Sequence, residues 1–220
     1  MIVAIVQARL TSERLPNKVL LMYNGKTVIE HIHDRLKQSK QLSKIFFAIP
    51  SNKRNSKLKN YLKKKDIPFI LGPEKNVLKR FYKVCAVTDL KVIVRITADC
   101  PLIDFRLMDK MIKKFLEQKK IDFLSNSITR TFPDGLDIEV FNKKILIDAY
   151  KKVKKIYDKE HVTPFMIRNY RCFDYKNTID LSYKRWTLDT KKDHSKINKI
   201  FKRFKDKKFF FWKEILKHGF

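Results

Sequence analysis

The run Ile2-Val3-Ala4-Ile5-Val6 constrains this chain more than any other feature. It has no polar face, so as a strand it must be covered on both sides, the situation of a parallel strand between two helical layers. The rest of the chain repeats the theme. Residues 27–38 carry Val28, Ile29, Ile32 and Leu36 at helical spacing, and a second apolar run at 45–49 ends in Pro50-Ser51-Asn52. A helix-like stretch at 56–65, a short strand at 68–71 closed by Gly72-Pro73, and a helix at 76–87 follow. Residues 91–97 form the clearest later strand, and Asp104 is placed to cap a helix running to about residue 118. This strand–helix alternation predicts an α/β fold with a mostly parallel sheet covered by helices on both faces.

After residue 120 the pattern shortens. Strands are expected at 121–124 and 136–141, a helix at about 143–155, a late strand at 183–188 ending before Asp189, and a helix from about 192 to 204. No repeat or low-complexity linker divides the 220 residues, so one domain is expected, with a smaller part around 121–182. The aromatic tail Phe209-Phe210-Phe211-Trp212, with Ile215 and Leu216, is expected to pack in the core or against a partner subunit rather than on a membrane. Tyr82 and Trp186 read as packing residues.

The net charge of +28 raises the possibility of nucleic-acid binding. However, 39 of the 51 basic residues are Lys, scattered through helix-like segments, so a solvated lysine surface is the expected reading. Cys85, Cys100 and Cys172 are odd in number and far apart, which argues against a disulfide framework. No apolar run approaches bilayer length, and Met1 leads directly into a strand-like run, so a cytoplasmic protein without a membrane span is expected.

Chemistry concentrates behind the strands. The loop Ala8-Arg9-Leu10-Thr11-Ser12-Glu13-Arg14-Leu15-Pro16-Asn17-Lys18 follows the first strand, where an open α/β sheet places its ligand crevice. Arg9, Ser12, Arg14 and Lys18 offer charge-assisted bonds to phosphate oxygens, and the loop amides add donors. With no glycine in residues 1–24, this is neither a Walker loop nor a dinucleotide turn. Asp99 and Asp189 each follow a strand and are expected at the same sheet edge. Two carboxylates beside a polyphosphate suit Mg²⁺. Taken singly, either acid could equally be a turn residue.

Five segments in order resemble one family. They are Gln7-Ala8-Arg9 with Ser12, Arg14-Leu15-Pro16 and Lys18-Val19-Leu20; Val94-Arg95-Ile96-Thr97-Ala98-Asp99-Cys100-Pro101-Leu102-Ile103; Pro133-Asp134-Gly135-Leu136-Asp137-Ile138-Glu139-Val140-Phe141; Glu160-His161-Val162-Thr163-Pro164; and Thr187-Leu188-Asp189-Thr190 with Asp193. Together they resemble the cytidylyltransferases, in the branch of spore coat polysaccharide biosynthesis, related to the synthetases of CMP-Kdo and CMP-sialic acid.

The resemblance implies a three-layer, Rossmann-like nucleotide-diphospho-sugar transferase fold, CTP as nucleotide, a sugar acceptor and a homodimer. It points to Ala8, Arg9, Ser12, Arg14, Lys18 and Thr97 for the nucleotide, to Asp99 and Asp189 for Mg²⁺, and to Asp134, Asp137, Glu139 and His161 for the sugar. Arg9, Lys18 and Asp99 are the implied catalytic set. Asp137 and Glu139 would also fit an exposed strand edge, and Pro-Asp-Gly a plain turn. The chain departs from the pattern at Leu10-Thr11, where relatives often carry glycines, at Asn17 for a common Gly, and at Asn76 for a frequent Asp. Alternatives are a transferase of the same fold using another nucleotide or a sugar phosphate, and a non-catalytic nucleic-acid-binding protein.

Overall fold

The computed structural model describes residues 1–220. Strands β1 (Ile2–Gln7), β4 (Lys44–Pro50), β5 (Phe69–Gly72) and β6 (Val92–Thr97) are parallel, and they lie in the order β5-β4-β1-β6. The sheet continues through β8 (Glu139–Asn142), antiparallel to both β6 and β7 (Phe123–Ser125), and ends at β9 (Cys172–Asp174), parallel to β7. A small hairpin, β2 (Met22–Tyr23) and β3 (Lys26–Thr27), stands apart.

The opening run is buried on both faces, as its composition requires. Ala4 and Val6 join one core while Val3 and Ile5 join the other. On the first face pack α1 (Val28–Leu36), α2 (Ser56–Lys64), α4 (Phe105–Glu117), α8 (Lys191–Arg203) and α9 (Trp212–Lys217). On the second lie α3 (Val77–Val87), α5 (Lys143–Lys152) and α7 (Pro164–Asn169), with α6 (Ile156–His161) leading into α7. No helix is long and apolar enough to cross a membrane.

Side-chain caps set the starts of four helices. Thr27 and Glu30 form a reciprocal capping box at α1, and Thr190 and Asp193 form another at α8. Asp104 accepts from the Arg106 and Leu107 amides. Asn76 accepts from the Lys79 amide at 2.8 Å, so it caps α3 as an Asp would.

The aromatic tail packs within the chain. Phe210 and Ile215 are buried, and Phe209 and Phe211 meet Phe105 edge-on. Trp186 is fully buried, and Tyr82 stacks on Tyr150 at 4.0 Å.

Two expectations need correction, and one strand was not foreseen. Residues 183–188 form no ladder strand. They contribute one isolated bridge, Asp134 to Arg185, because their neighbours are loops rather than a strand. The expected strand at 136–141 begins only at Glu139, and it is no exposed edge, since β8 lies between β6 and β7. Finally, β9 carries no strong strand pattern and is recruited by pairing with β7.

Candidate active site

After β1 the chain moves outward to β4 and β5, then returns to place β6 on the other side of β1. The carboxyl ends of β1 and β6 therefore flank a topological switch point, where no crossover covers the crevice. The loops leaving these two strands carry Arg9 to Lys18 and Asp99. Two clefts open there. One, of about 690 Å³, is lined by Ala8, Arg9, Ser12, Arg14, Lys18, Asp189 and others, with His161 at its rim. The other, of about 240 Å³, is lined by acids including Asp134, Asp137 and Glu139. Thr97 and Asp99 line both.

The glycine-poor first loop takes its shape from anchors. Leu10 is buried in the core, its amide donates to Asn55 Oδ1 at 2.8 Å, and Thr11 hydrogen-bonds Glu74. Asn17 has φ 59°, the left-handed region that Asn tolerates better than most residues, and its amide returns to the Leu10 carbonyl at 3.0 Å. That conformation explains an Asn where relatives favour Gly. A 3-10 turn, Lys18–Leu20, follows immediately and sinks Lys18.

Lys18 is the centre of the arrangement. Its Nζ lies 3.3 Å from Asp99 Oδ2 and 3.0 Å from Asp189 Oδ1, and only 11% of its side chain is exposed. Arg14, largely exposed, pairs with the other oxygen of Asp189. Two carboxylates thus converge on one cation position at the mouth of the basic loop. Burial alone would raise the Asp99 carboxyl, but the Lys18 charge and hydrogen bond outweigh it and hold Asp99 below its usual range. Arg9 pairs with Glu160 across the cleft at 3.5 Å.

Asp189 is positioned by the segment that only resembled a strand. The Leu188 amide donates to the Asp99 carbonyl at 2.7 Å, the Asp134 amide donates to the Lys184 carbonyl at 2.9 Å, and the Trp186 amide donates to the Asp134 carbonyl at 2.6 Å. Gly135, at φ 107°, permits this approach. A Cβ there would stand 2.6 Å from the Thr187 nitrogen. Arg185 then draws Asp134 and Asp193 together at 2.6 and 3.1 Å.

In the second cleft the acids already hold partners. Arg130 grips Asp137 bidentately at 2.6 and 2.7 Å. Glu139 is buried, faces Arg95 across the β6–β8 ladder at 2.5 Å, and accepts from the Thr163 hydroxyl at 2.9 Å. Burial, helped by the neighbouring Asp137 and Asp99 charges, pushes Asp134 up against the pull of Arg130 and Arg185. The Cys100 thiol is also pushed up, first by burial and then by Asp99, so it remains protonated and is no nucleophile.

Between the clefts lies a strained link. Val162 is fully buried at φ 70° and ψ −55°, and the Thr163 amide donates to the His161 carbonyl at 2.9 Å, closing a γ-turn. Such a turn at a β-branched residue costs about 1–3 kcal/mol. It directs His161 to the larger cleft and Thr163 to Glu139. His161 therefore lies with Arg9 and Glu160, not among the acids with which the sequence reading grouped it.

Arg80, Arg95, Arg130 and Arg185 escaped the sequence reading. Arg80 carried a signal: it falls on the apolar face of α3, between Val77 and Val84. Arg95 interrupts a Val/Ile strand. Arg130 and Arg185 lie in irregular segments and had no local signal.

A doubly covered sheet with a cation-rich loop after its first strand, paired acids at the switch point and a second cleft beside them defines a nucleotidyltransferase. Residues 3–218 match the cytidylyltransferase family, and the chain belongs to it. An uncharacterized protein of Methanocaldococcus jannaschii is 35% identical over 208 residues, 92% of this chain and 84% of that one. The spore coat polysaccharide biosynthesis protein SpsF of Bacillus subtilis is 29% identical over 215 residues, covering 92% and 87%. A solved cytidylyltransferase from Leptospira borgpetersenii superposes with a TM-score of 0.92 at 30% identity, covering 99% of this chain and 92% of that chain.

Proposed function

We propose that this enzyme transfers CMP from CTP to a hydroxyl of a sugar, releases pyrophosphate, and supplies a CMP-activated sugar for surface polysaccharide or glycoconjugate synthesis. The observation that carries the reading is the convergence of Asp99 and Asp189 on one cation position between a basic cleft and an acid-lined one. Two acids are enough for Mg²⁺, which takes its remaining ligands from water and phosphate oxygens. Asp99 and Asp189 would hold it, and when bound it supplies charge neutralisation at the α-phosphate.

The chain's own residues do the rest. Arg9, Ser12, Arg14 and Lys18 grip the triphosphate, and the amides of the loop around Ala8 add donors. Asp134, Asp137 and Glu139, fixed by their arginines, accept from acceptor hydroxyls without needing to reorganise. A hydroxyl held in the acid-lined cleft attacks the α-phosphorus in line. The bond from that phosphorus to the bridging oxygen breaks, and pyrophosphate leaves against Arg9 and Lys18. Thr97 and Asp99, common to both clefts, line the place where the bond changes hands. Asp99, which lines both clefts, takes the hydroxyl proton.

The same reading treats the chain as one cytidylyltransferase domain whose part around 121–182 serves the acceptor and a homodimer contact. Exposed Ile156, Tyr157, Ile167 and Ile179 in that part support the contact. Light scattering of the purified protein tests it, and a monomer at micromolar concentration overturns it.

The function is tested by pyrophosphate release from each nucleoside triphosphate, with and without Mg²⁺, over acidic and neutral sugars. CTP- and Mg²⁺-dependent release with a sugar is expected. Silence with CTP across the panel, or release only with another nucleotide, overturns the reading.

A further inference from the structure

Away from the two clefts, a further cavity of about 460 Å³ collects cations between α1, the end of α8 and residues 205–210. It shares no residue with either cleft. Helix α1 returns the chain from the β1 loop to the start of β4, so its last turn, with Arg35, stands toward the opposite edge of the sheet from the candidate active site. Lys26, Arg35, Lys37, Lys205, Lys207 and Lys208 line the cavity against one acid, Asp34. Asp34 pairs with Lys26 at 2.5 Å, and Glu214 pairs with Lys207. Arg35, Lys37, Lys205 and Lys208 make no ion pair, which leaves four cations facing one cavity unbalanced. The carboxyl ends of α1 and α8 favour nearby cations, so the fold can gather this charge without pairing it.

Arg35 makes the cavity more than a solvated lysine face. It is 3% exposed, and its guanidinium lies 4.6 Å over the Phe210 ring. Its Nη1 donates to the Phe210 carbonyl at 2.8 Å, while Nε and Nη2 find no acceptor in the chain and are not sealed from the cavity. The acids whose charge it feels are committed elsewhere. Asp104 accepts from the Arg106, Leu107 and Trp212 amides, and Glu214 from Lys207 and the Phe211 amide. Burial brings the guanidinium down to about 10, against the pull of Asp104 and Glu214, so it stays ionised at neutral pH. A buried charged fork with donors to spare calls for an acceptor from outside.

We propose that this cavity is a second anion site, which takes a chain of linked phosphates on a small molecule. One phosphate sits on the Arg35 fork, and the others are met by Lys37, Lys205 and Lys208. A guanidinium matches two phosphate oxygens at once, and lysines supply mobile point charge along the rest. Four unpaired cations exceed what a single phosphate can meet. Because Arg35 lies at the buried end of a recess, the tip of a small ligand reaches it and the side of a nucleic-acid strand does not. The site stands independently of the CTP reading.

The probe is inorganic tripolyphosphate without Mg²⁺, followed by calorimetry, with thermal unfolding as the check on folding. Wild type is expected to bind two equivalents, one at each basic site. Arg9→Gln/Arg14→Gln disables the β1 loop and should keep one. In that background Arg35→Met should weaken the remaining equivalent about ten- to hundredfold, the scale of hydrogen bonds to a charged group. Lys37→Gln/Lys205→Gln/Lys208→Gln should weaken it by about tenfold and flatten its dependence on salt. Loss of all binding in Arg9→Gln/Arg14→Gln overturns the proposal. Unchanged affinity in Arg35→Met, whatever its melting temperature, would make Arg35 structural and overturn it too. The lysine variant alters only exposed side chains, so it decides the matter if Arg35→Met does not fold: full affinity there overturns the site. Tighter binding of a single-stranded oligonucleotide or of phosphatidylglycerol vesicles, abolished by the same lysine variant, would make the cavity part of a nucleic-acid or membrane face and overturn it as well.

Discussion

The two halves of the sheet handle charge in opposite ways. On the β5-β4-β1-β6 side, Lys18 is held by Asp99 and Asp189, but the other cations of the larger cleft stay open to a ligand: Arg14 pairs with Asp189 yet is 69% exposed, Arg9 meets Glu160 at 3.5 Å, and Arg80 is unpaired. On the β8-β7-β9 side, each acid is already clamped, Asp137 by Arg130, Glu139 by Arg95 and Thr163, and Asp134 by Arg185. An anion entering the first side supplies the missing partners itself. A neutral, hydroxyl-bearing ligand entering the second finds acceptors whose charge is already balanced and whose orientation is fixed. On the proposed function, the contrast teaches that one sheet edge builds two kinds of subsite: strong local charge for a mobile polyanion, and preorganised hydrogen bonding for a polyol.

The largest expected effect breaks the junction between the halves. Asp99→Asn and Asp189→Asn should each lower kcat by on the order of a hundredfold or more, the scale of removing a charge-stabilising group, while circular dichroism stays native. Near-normal turnover in both variants would remove them from the metal site and dissolve the contrast.

Gly135→Ala attacks the tie that carries Asp189. The new Cβ would collide with the backbone of Trp186 and Thr187, and the position has φ 107°. A stability loss of about 3 kcal/mol is expected from strain and displacement together, with a matching fall in melting temperature. An unchanged melting temperature would mean that segment 184–188 is not held by this approach.

The scaffold of the nucleotide half has an acid weakness. Burial works to raise the Glu30 carboxyl, but bonds from Lys65, Tyr61 and Thr27 outweigh it and hold it down at about 2, against an ordinary 4.5. A depressed folded pKa contributes stability above pH 4.5, and that contribution is lost as pH falls toward 2. Unfolding free energies from urea titrations at pH 5 down to 2.5 should therefore fall by on the order of 1–2 kcal/mol on this account, once solvent screening of this part-exposed group is allowed for. Glu30→Gln should flatten that slope, and an unaltered slope would discount the pairing.

The smallest effect sharpens the other side. Asp137→Asn should raise the acceptor KM about tenfold, as for a charge-assisted bond weakened, and leave the CTP KM alone. A shift in the CTP KM instead would merge the two subsites into one.

What the sequence determined by itself is local. The two-faced apolar runs at β1 and β6 dictated a covered parallel sheet, because no other packing hides both faces. Asp104 announced its helix, because a cap acts within four residues. The first loop's cations and Asp99 were legible because residues at strand ends project to one edge of such a sheet; Asp189 reaches that edge although the strand expected before it does not form. The family resemblance extended the same segments to a nucleotide and an acceptor. Tertiary structure alone decided the pairings. Arg130 and Arg185 find their acids through loops with no periodicity, residues 183–188 give up a ladder to tie two loops together, and the γ-turn at Val162 sends His161 to the larger cleft. It also decided that Leu10-Thr11 needs no glycine, since Asn55 and Glu74, distant in sequence, hold the loop instead. Charge along a chain reports which groups are present; only the fold reports which of them are already satisfied, and in this enzyme that difference separates the two subsites.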